Sequence, residues 1–177
     1  KCACGKENTS DDRIPHNYTV EKNSPTGYTR KYCSYNCGNY SQTANTYKLT
    51  FNPNGGTLPN PGGNLYMNTT NNAGHKNTGN SVPVTYDSGN YNSMTGDIPT
   101  RTGYTFEGWY TAASGGTKVY NANGTTANDG TYWASSKWHY ANNLTVYAHW
   151  KANTYTNYID HWTWDWKNGE GNNGDKK

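Results

Sequence analysis

A mainly β fold, with α+β as the alternative, is what this sequence predicts, and three observations predict it. Apolar and polar residues alternate with period two in four separate runs, the signature of strands with one buried face. Asn, Thr, Gly and Ser dominate the remainder, which favours turns and strands over helices. Leu, Ile, Val and Phe together number only 14 of the 177 residues, whereas 17 Tyr and 7 Trp are present. So low an aliphatic share taken alone indicates disorder. An aromatic content of 15% and a net charge of only +3 argue the other way. Rings must replace aliphatic bulk in a small core.

Residues 1–45 form the first expected unit. They hold all four cysteines (Cys2, Cys4, Cys33 and Cys37) and few aliphatic side chains beyond Ile14 and Val20. Such a segment cannot support a core by itself and needs a staple. Two close cysteine pairs about 28 residues apart are laid out like a four-ligand zinc site, with His16 available as a substitute ligand. Gly5 and Gly38, each following the second Cys of a pair, suit the tight turn of a zinc knuckle. The pairs enclose one and three residues where knuckles prefer two, so disulfides between the pairs stand as the alternative, with free thiols a third state. The run His16-Asn-Tyr-Thr-Val20, with Gly27-Tyr-Thr-Arg-Lys-Tyr-Cys33 and Cys37-Gly38, resembles short Cys/His repeats of secreted proteins from Gram-positive bacteria.

Residues 46–152 form the second unit. Tyr47, Leu49 and Phe51 alternate and lead into the turn Asn52-Pro-Asn-Gly-Gly56. Val82, Val84 and Tyr86 alternate before Asp87-Ser-Gly89. Tyr104 and Phe106 alternate before Gly108 and Trp109, and Leu144, Val146, Ala148 and Trp150 make the longest run. The expected core is Phe51, Phe106, Trp109 and Trp150 beside Leu144, with Gly103 and Gly108 taking backbone conformations that side chains forbid. Pro59, Pro61 and Pro99 fall outside the alternating runs, as strands require. The Gly/Asn/Thr-rich stretch between Gly55 and Val82 is too long for an ordinary connection and is read as an insertion, an Ω-like loop or an extra hairpin.

In that unit Leu49-Thr-Phe-Asn-Pro-Asn-Gly-Gly56, Pro99-Thr-Arg-Thr-Gly-Tyr-Thr-Phe-Glu-Gly-Trp-Tyr-Thr111, Gly115-Gly116 and Leu144-Thr-Val-Tyr-Ala-His-Trp150 resemble the Listeria–Bacteroides repeat, the B-repeat module of internalins and other bacterial surface proteins. The resemblance implies a small β-grasp-like domain, extracellular display at the cell surface or wall, and a spacer or adhesive role without catalysis. Residues 60–81 and 121–142 are longer than the family pattern and are expected to form extra surface structure. In a bacterial chain, the six Asn-x-Ser/Thr sequons are a by-product of composition.

Residues 153–177 are expected to be a flexible tail or the start of a following domain. Trp162, Trp164 and Trp166 stand on one face of a strand there, a stripe that would pack on a following domain or stack on sugar rings. The chain opens on Lys1 without an initiator Met or signal peptide and is read as a fragment of a longer polypeptide.

Several functions are excluded. No apolar run approaches the roughly 18 residues of a membrane span. Basic residues are scattered, so no nucleic-acid footprint exists. No metalloprotease, nucleophile-elbow, Walker or dinucleotide motif is present, and no enzyme is expected. The sequence points to a noncatalytic extracellular module, adhesive or spacer, whose partner is a host or neighbouring-cell protein or glycan. The alternatives are a carbohydrate-binding module using exposed Trp and Tyr, of the tail or of the 121–142 insertion, and a self-assembling surface filament subunit.

Overall fold

A computed structural model describes residues 17–34, 38–59, 65 and 79–157. The described residues form strands and turns and no helix, so the mainly β expectation stands and its α+β alternative finds no support among them. Strands β1 (Tyr18–Glu21), β2 (Tyr28–Cys33) and β3 (Tyr40–Ala44) make an antiparallel sheet in that order. The larger sheet contains β4 (Thr46–Asn52), β5 (Ser81–Thr85), β6 (Tyr104–Tyr110), β7 (Lys118–Asn121) and β10 (Leu144–Ala152), in the order β5-β4-β10-β6-β7. The short strands β8 (Trp133–Ala134) and β9 (Lys137–Trp138) pair separately.

The small sheet gives regular structure to residues whose apolar content did not foretell it. Tyr32 and Tyr40 lie side by side on neighbouring strands, 5.6 Å between ring centroids. Lys22 approaches the Tyr32 ring and the Arg30 guanidinium covers Tyr40 at 4.3 Å, while Arg30 also donates to Gln42 Oε1. Cation–π contact and the stems of long basic side chains do part of the work of an apolar face.

The large sheet is built around a parallel pair. β10 runs beside β4 in the same direction, with Leu144 opposite Leu49 and Val146 opposite Phe51, and pairs antiparallel with β6 on its other side. Leu49, Phe51, Val82, Val84, Val146 and Ala148 are buried on one face, as the alternation predicts. On β6 the rule of two breaks. Phe106 opposes Trp150 and Gly108 opposes His149, which leaves Glu107 without a partner, a β-bulge. The bulge brings Phe106 and Trp109, three residues apart, onto the same buried face, 5.6 Å between centroids. Gly108 makes this possible: its φ is +136°, and a Cβ there would sit 2.5 Å from Tyr120 O. Gly103 also has the expected left-handed φ, +78°.

The open edge strand β5 contains Pro83, inside the alternation of Val82, Val84 and Tyr86. Phe51 N–H bonds Asn80 O and Tyr86 N–H bonds Asn45 O, so Pro83, opposite Lys48, occupies a non-hydrogen-bonded position. The donor it lacks would point away from the sheet, which blunts the edge. At the other edge, residues 125–127 bond back to β7.

The 121–142 insertion departs from its expected place on the surface. Its hairpin turns through Ser135 and Ser136, at φ +48° and +61°, the two left-handed residues of a type I′ turn. Trp133 and Trp138 are completely buried, so they cannot form the exposed glycan stripe considered for this insertion. They extend the core: Trp133 meets Tyr120 at 5.6 Å and Trp138 at 5.3 Å. Leu65, in the long stretch before β5, is also fully buried.

Trp138→Ala is expected to cost about 3–5 kcal/mol in urea denaturation, the range for a buried aromatic truncated in a core. A loss below about 1 kcal/mol would return the hairpin to the surface.

Candidate functional site

The outer face of the large sheet carries the residues that alternate with the core. Tyr147 lies opposite Tyr110, and Tyr110 opposite Lys118. The His149 ring stacks on Tyr110 at 3.9 Å and 10°, and Lys118 Nζ lies 5.4 Å from the same ring. All four are partly exposed, so the face is a shallow aromatic platform edged by an ammonium.

Beside the platform, at the ends of β4 and β10, is an open cleft of about 240 Å³ lined by Asn54, Arg101, Glu107, Ser114, His149 and Trp150 among others. Hydrogen bonds hold its walls. Asn54, in the turn after β4 at φ +46°, donates through Nδ2 to Ala113 O and Ala148 O, both at 3.0 Å. Trp150 Nε1 donates to Pro53 O at 3.0 Å. His149 Nε2 lies 2.9 Å from Ala112 O and donates to it in the tautomer protonated there. Arg101 Cζ sits over the Tyr104 ring, 3.9 Å from its centroid, and its Nη1 makes a long 3.5 Å bond to Asn54 O. Among the described residues it forms no ion pair. A held guanidinium, an exposed carboxylate and an indole edge suit a small ligand rich in hydroxyl or charged groups.

A second polar cluster sits where the two sheets meet. Tyr86, just after β5, packs its ring over Gly27, where a Cβ would come within 2.2 Å of ring carbon, and meets Tyr28 edge-on at 5.3 Å. Tyr86 N–H bonds Asn45 O, and Asn45 N–H bonds Gly27 O. Asp87 follows at φ +56°. Its carboxylate accepts from Tyr28 Oη and from Lys137 Nζ, each at 3.1 Å, with His139 Nε2 3.8 Å away. Asp87 N–H bonds Trp138 O, and Trp138 N–H bonds Ser88 O. The start of β2, the turn after β5 and the β8–β9 hairpin are thereby tied at one residue. The hydrogen bond from Lys137, then that from Tyr28, lowers the Asp87 carboxyl below its ordinary value. Burial first, and the bond to Asp87 second, raises the Tyr28 phenol.

Of the residues singled out from sequence, Phe51, Phe106 and Trp109 are core side chains, with Trp109 touching each of the two Phe rings. Trp150 differs. It is only partly buried, touching Phe106 at 5.4 Å while its indole forms a wall of the cleft. Cys33 ends β2 and is buried. Cys2, Cys4, Cys37 and His16 lie outside the described residues, as do Trp162, Trp164 and Trp166. The described residues contain no group of three or more His, Cys, Asp or Glu able to hold a metal. No described helix is long and apolar enough to cross a membrane. Arg101, Glu107 and His149 were not anticipated as site residues. They lie inside the repeat-like runs, where pattern alone gave them no separate role.

The family model described as the Listeria-Bacteroides repeat domain matches residues 47–135, just over half of the chain. The match ends inside the β8–β9 hairpin, whereas β10, which completes the centre of the sheet, lies beyond it. No curated protein and no solved structure matches the chain.

A carboxyl whose folded pKa is lowered contributes stability above its unfolded value near 4 and loses it as pH falls through the folded value. Asp87→Asn is therefore expected to be less stable than the parent at neutral pH, with the two converging as the pH falls from neutral through and below the ordinary carboxyl range. Urea denaturation across that range measures it, and parallel curves would remove Asp87 from the linkage.

Proposed function

The chain belongs to the Listeria–Bacteroides repeat family, and on that premise we propose that it is a noncatalytic extracellular module of a bacterial surface protein, a spacer that also presents an adhesive face. The family is typical of bacterial surface proteins. The strand order supports the β-grasp-like assignment. Such a sheet sets its first and last strands side by side and parallel at the centre, as β4 and β10 are here. Turns in residues 86–103 stand where that fold carries its helix.

The observation that carries the spacer reading is the joint at Tyr86 and Asp87. Independent motion is the default for linked units with a small polar interface. Here the direct passage from β3 to β4 through Asn45 is reinforced by a ring seated on Gly27, a backbone bridge and a three-way carboxylate. A spacer built this way transmits direction as well as length.

A second reading, carbohydrate binding, is favoured by the cleft beside the Tyr110–His149 stack. Aromatic faces with a few fixed polar groups are what sugar rings require. In affinity electrophoresis through polysaccharide gels, this reading expects retardation of the parent and its loss in Arg101→Ala. Equal mobility in every gel leaves the spacer.

Backbone ¹⁵N relaxation tests the joint. Amides of β1–β3 and of β4–β10 are expected to report one common tumbling time. Tyr86→Ser is expected to give the small sheet a shorter time of its own, and two different times in the parent would end the rigid-spacer reading.

A further inference from the structure

The geometry points to a force-bearing shear clamp formed by β4 and β10, an inference that rests on the spacer reading. The large sheet begins at Thr46 and ends at Ala152, and these two boundary strands are neighbours that run parallel. Tension entering through Asn45 pulls β4 back along its own axis, and tension leaving after Ala152 pulls β10 forward along the same axis. The strands are loaded to slide past one another, so the bonds between them share the load. An antiparallel terminal hairpin pulled at its open end would break one bond after another.

Side chains extend this ladder beyond its backbone register, Leu144↔Leu49 to Tyr147↔Asn52. At its start, Asn143 Oδ1 accepts from Lys48 N–H at 2.8 Å. Past its end, Asn54 Nδ2 donates to Ala148 O and Trp150 Nε1 to Pro53 O, both at 3.0 Å. Each stitch joins the turn or strand at one boundary of the unit to the strand at the other, across 94 to 97 residues of chain. All three are loaded when the ends are pulled, whereas the hairpin holding Trp133 and Trp138 lies off that path.

The test is force-clamp spectroscopy on the full chain tethered at its termini. Release of residues 46–152 is recognised by its length gain, about 3.5 Å per residue. Asn143→Ala and Asn54→Ala are each expected to unfold about fivefold faster at fixed force, the factor for one net hydrogen bond. Trp138→Phe keeps a ring in the core and is expected to lower equilibrium stability while leaving that rate within twofold. Parental rates in both Asn variants, or acceleration in Trp138→Phe matching its equilibrium loss, would overturn the clamp. Separate tumbling of the two sheets would defeat the rigid spacer and leave these rates untouched, so the two failures are distinguishable.

Discussion

Contact between aromatic rings is the constraint on which this structure depends. A five-stranded sheet must cover one face, and the sequence supplies too few aliphatic side chains to do it. The cover is a continuous series of touching rings: Trp150 to Phe106, Phe106 to Trp109, Trp109 to Phe51, Phe51 to Tyr120, Tyr120 to Trp133 and Trp133 to Trp138, at centroid separations of 5.0–5.9 Å. Offset and edge-on pairs of this kind contribute about 0.5–1.5 kcal/mol each beyond the area they bury. Phe51 and Trp109 belong to strands separated by β10, roughly twice the 4.7–4.9 Å strand spacing apart. Their rings meet at 5.0 Å because the β10 residue opposite Trp109 is Ala148, small enough to leave room above it.

The same demand explains the irregularities. Rings that must touch cannot all sit at even spacing on straight strands. β6 takes an extra residue at Glu107 to bring Phe106 and Trp109 to one side, and β7 takes one at Val119, between the partners of Trp109 and Tyr110. The β6 bulge has two outward consequences. Gly108 faces His149 without a side chain, so the imidazole can lie flat on Tyr110. Glu107, released from pairing, becomes a wall of the cleft. The stacked outer face and the cleft are thus by-products of how the core was closed.

Much of this was legible in sequence because it is periodic. The runs from Tyr47, Val82, Tyr104 and Leu144 became β4, β5, β6 and β10, with Leu49, Phe51, Val82, Val84, Phe106, Val146 and Ala148 inward as expected, whereas Tyr104 is exposed and Tyr86 lies just past β5. The β8–β9 hairpin was not legible. Its turn is Ser135-Ser136, which carries none of the Asn-Gly or Asp-Gly chemistry that announces a type I′ turn, and strands of two residues show no period. The β1–β3 sheet escaped because its packing is Tyr against Arg and Lys, invisible to an apolar count. The cleft could not be read because Asn54, Arg101 and His149 are brought together by the pairing of β10 with β4 and with β6, and nothing local in sequence announces which strands will be neighbours.

Cohesion and strength under load run in different directions through this fold. The rings connect across the strands, from β10 through β6, β4 and β7 into the hairpin, and resist separation of the layers. The β4–β10 ladder and its side-chain stitches lie along the strands and resist sliding. Trp150 is where the two systems meet: its ring touches Phe106 while its N–H reaches back to Pro53. A core residue there need not be sealed from water, because its second duty is at the boundary. That accounts for its partial exposure better than imperfect packing does. With the two systems largely separate, the insertions and the outer face can change without altering the path that carries tension from one end of the unit to the other.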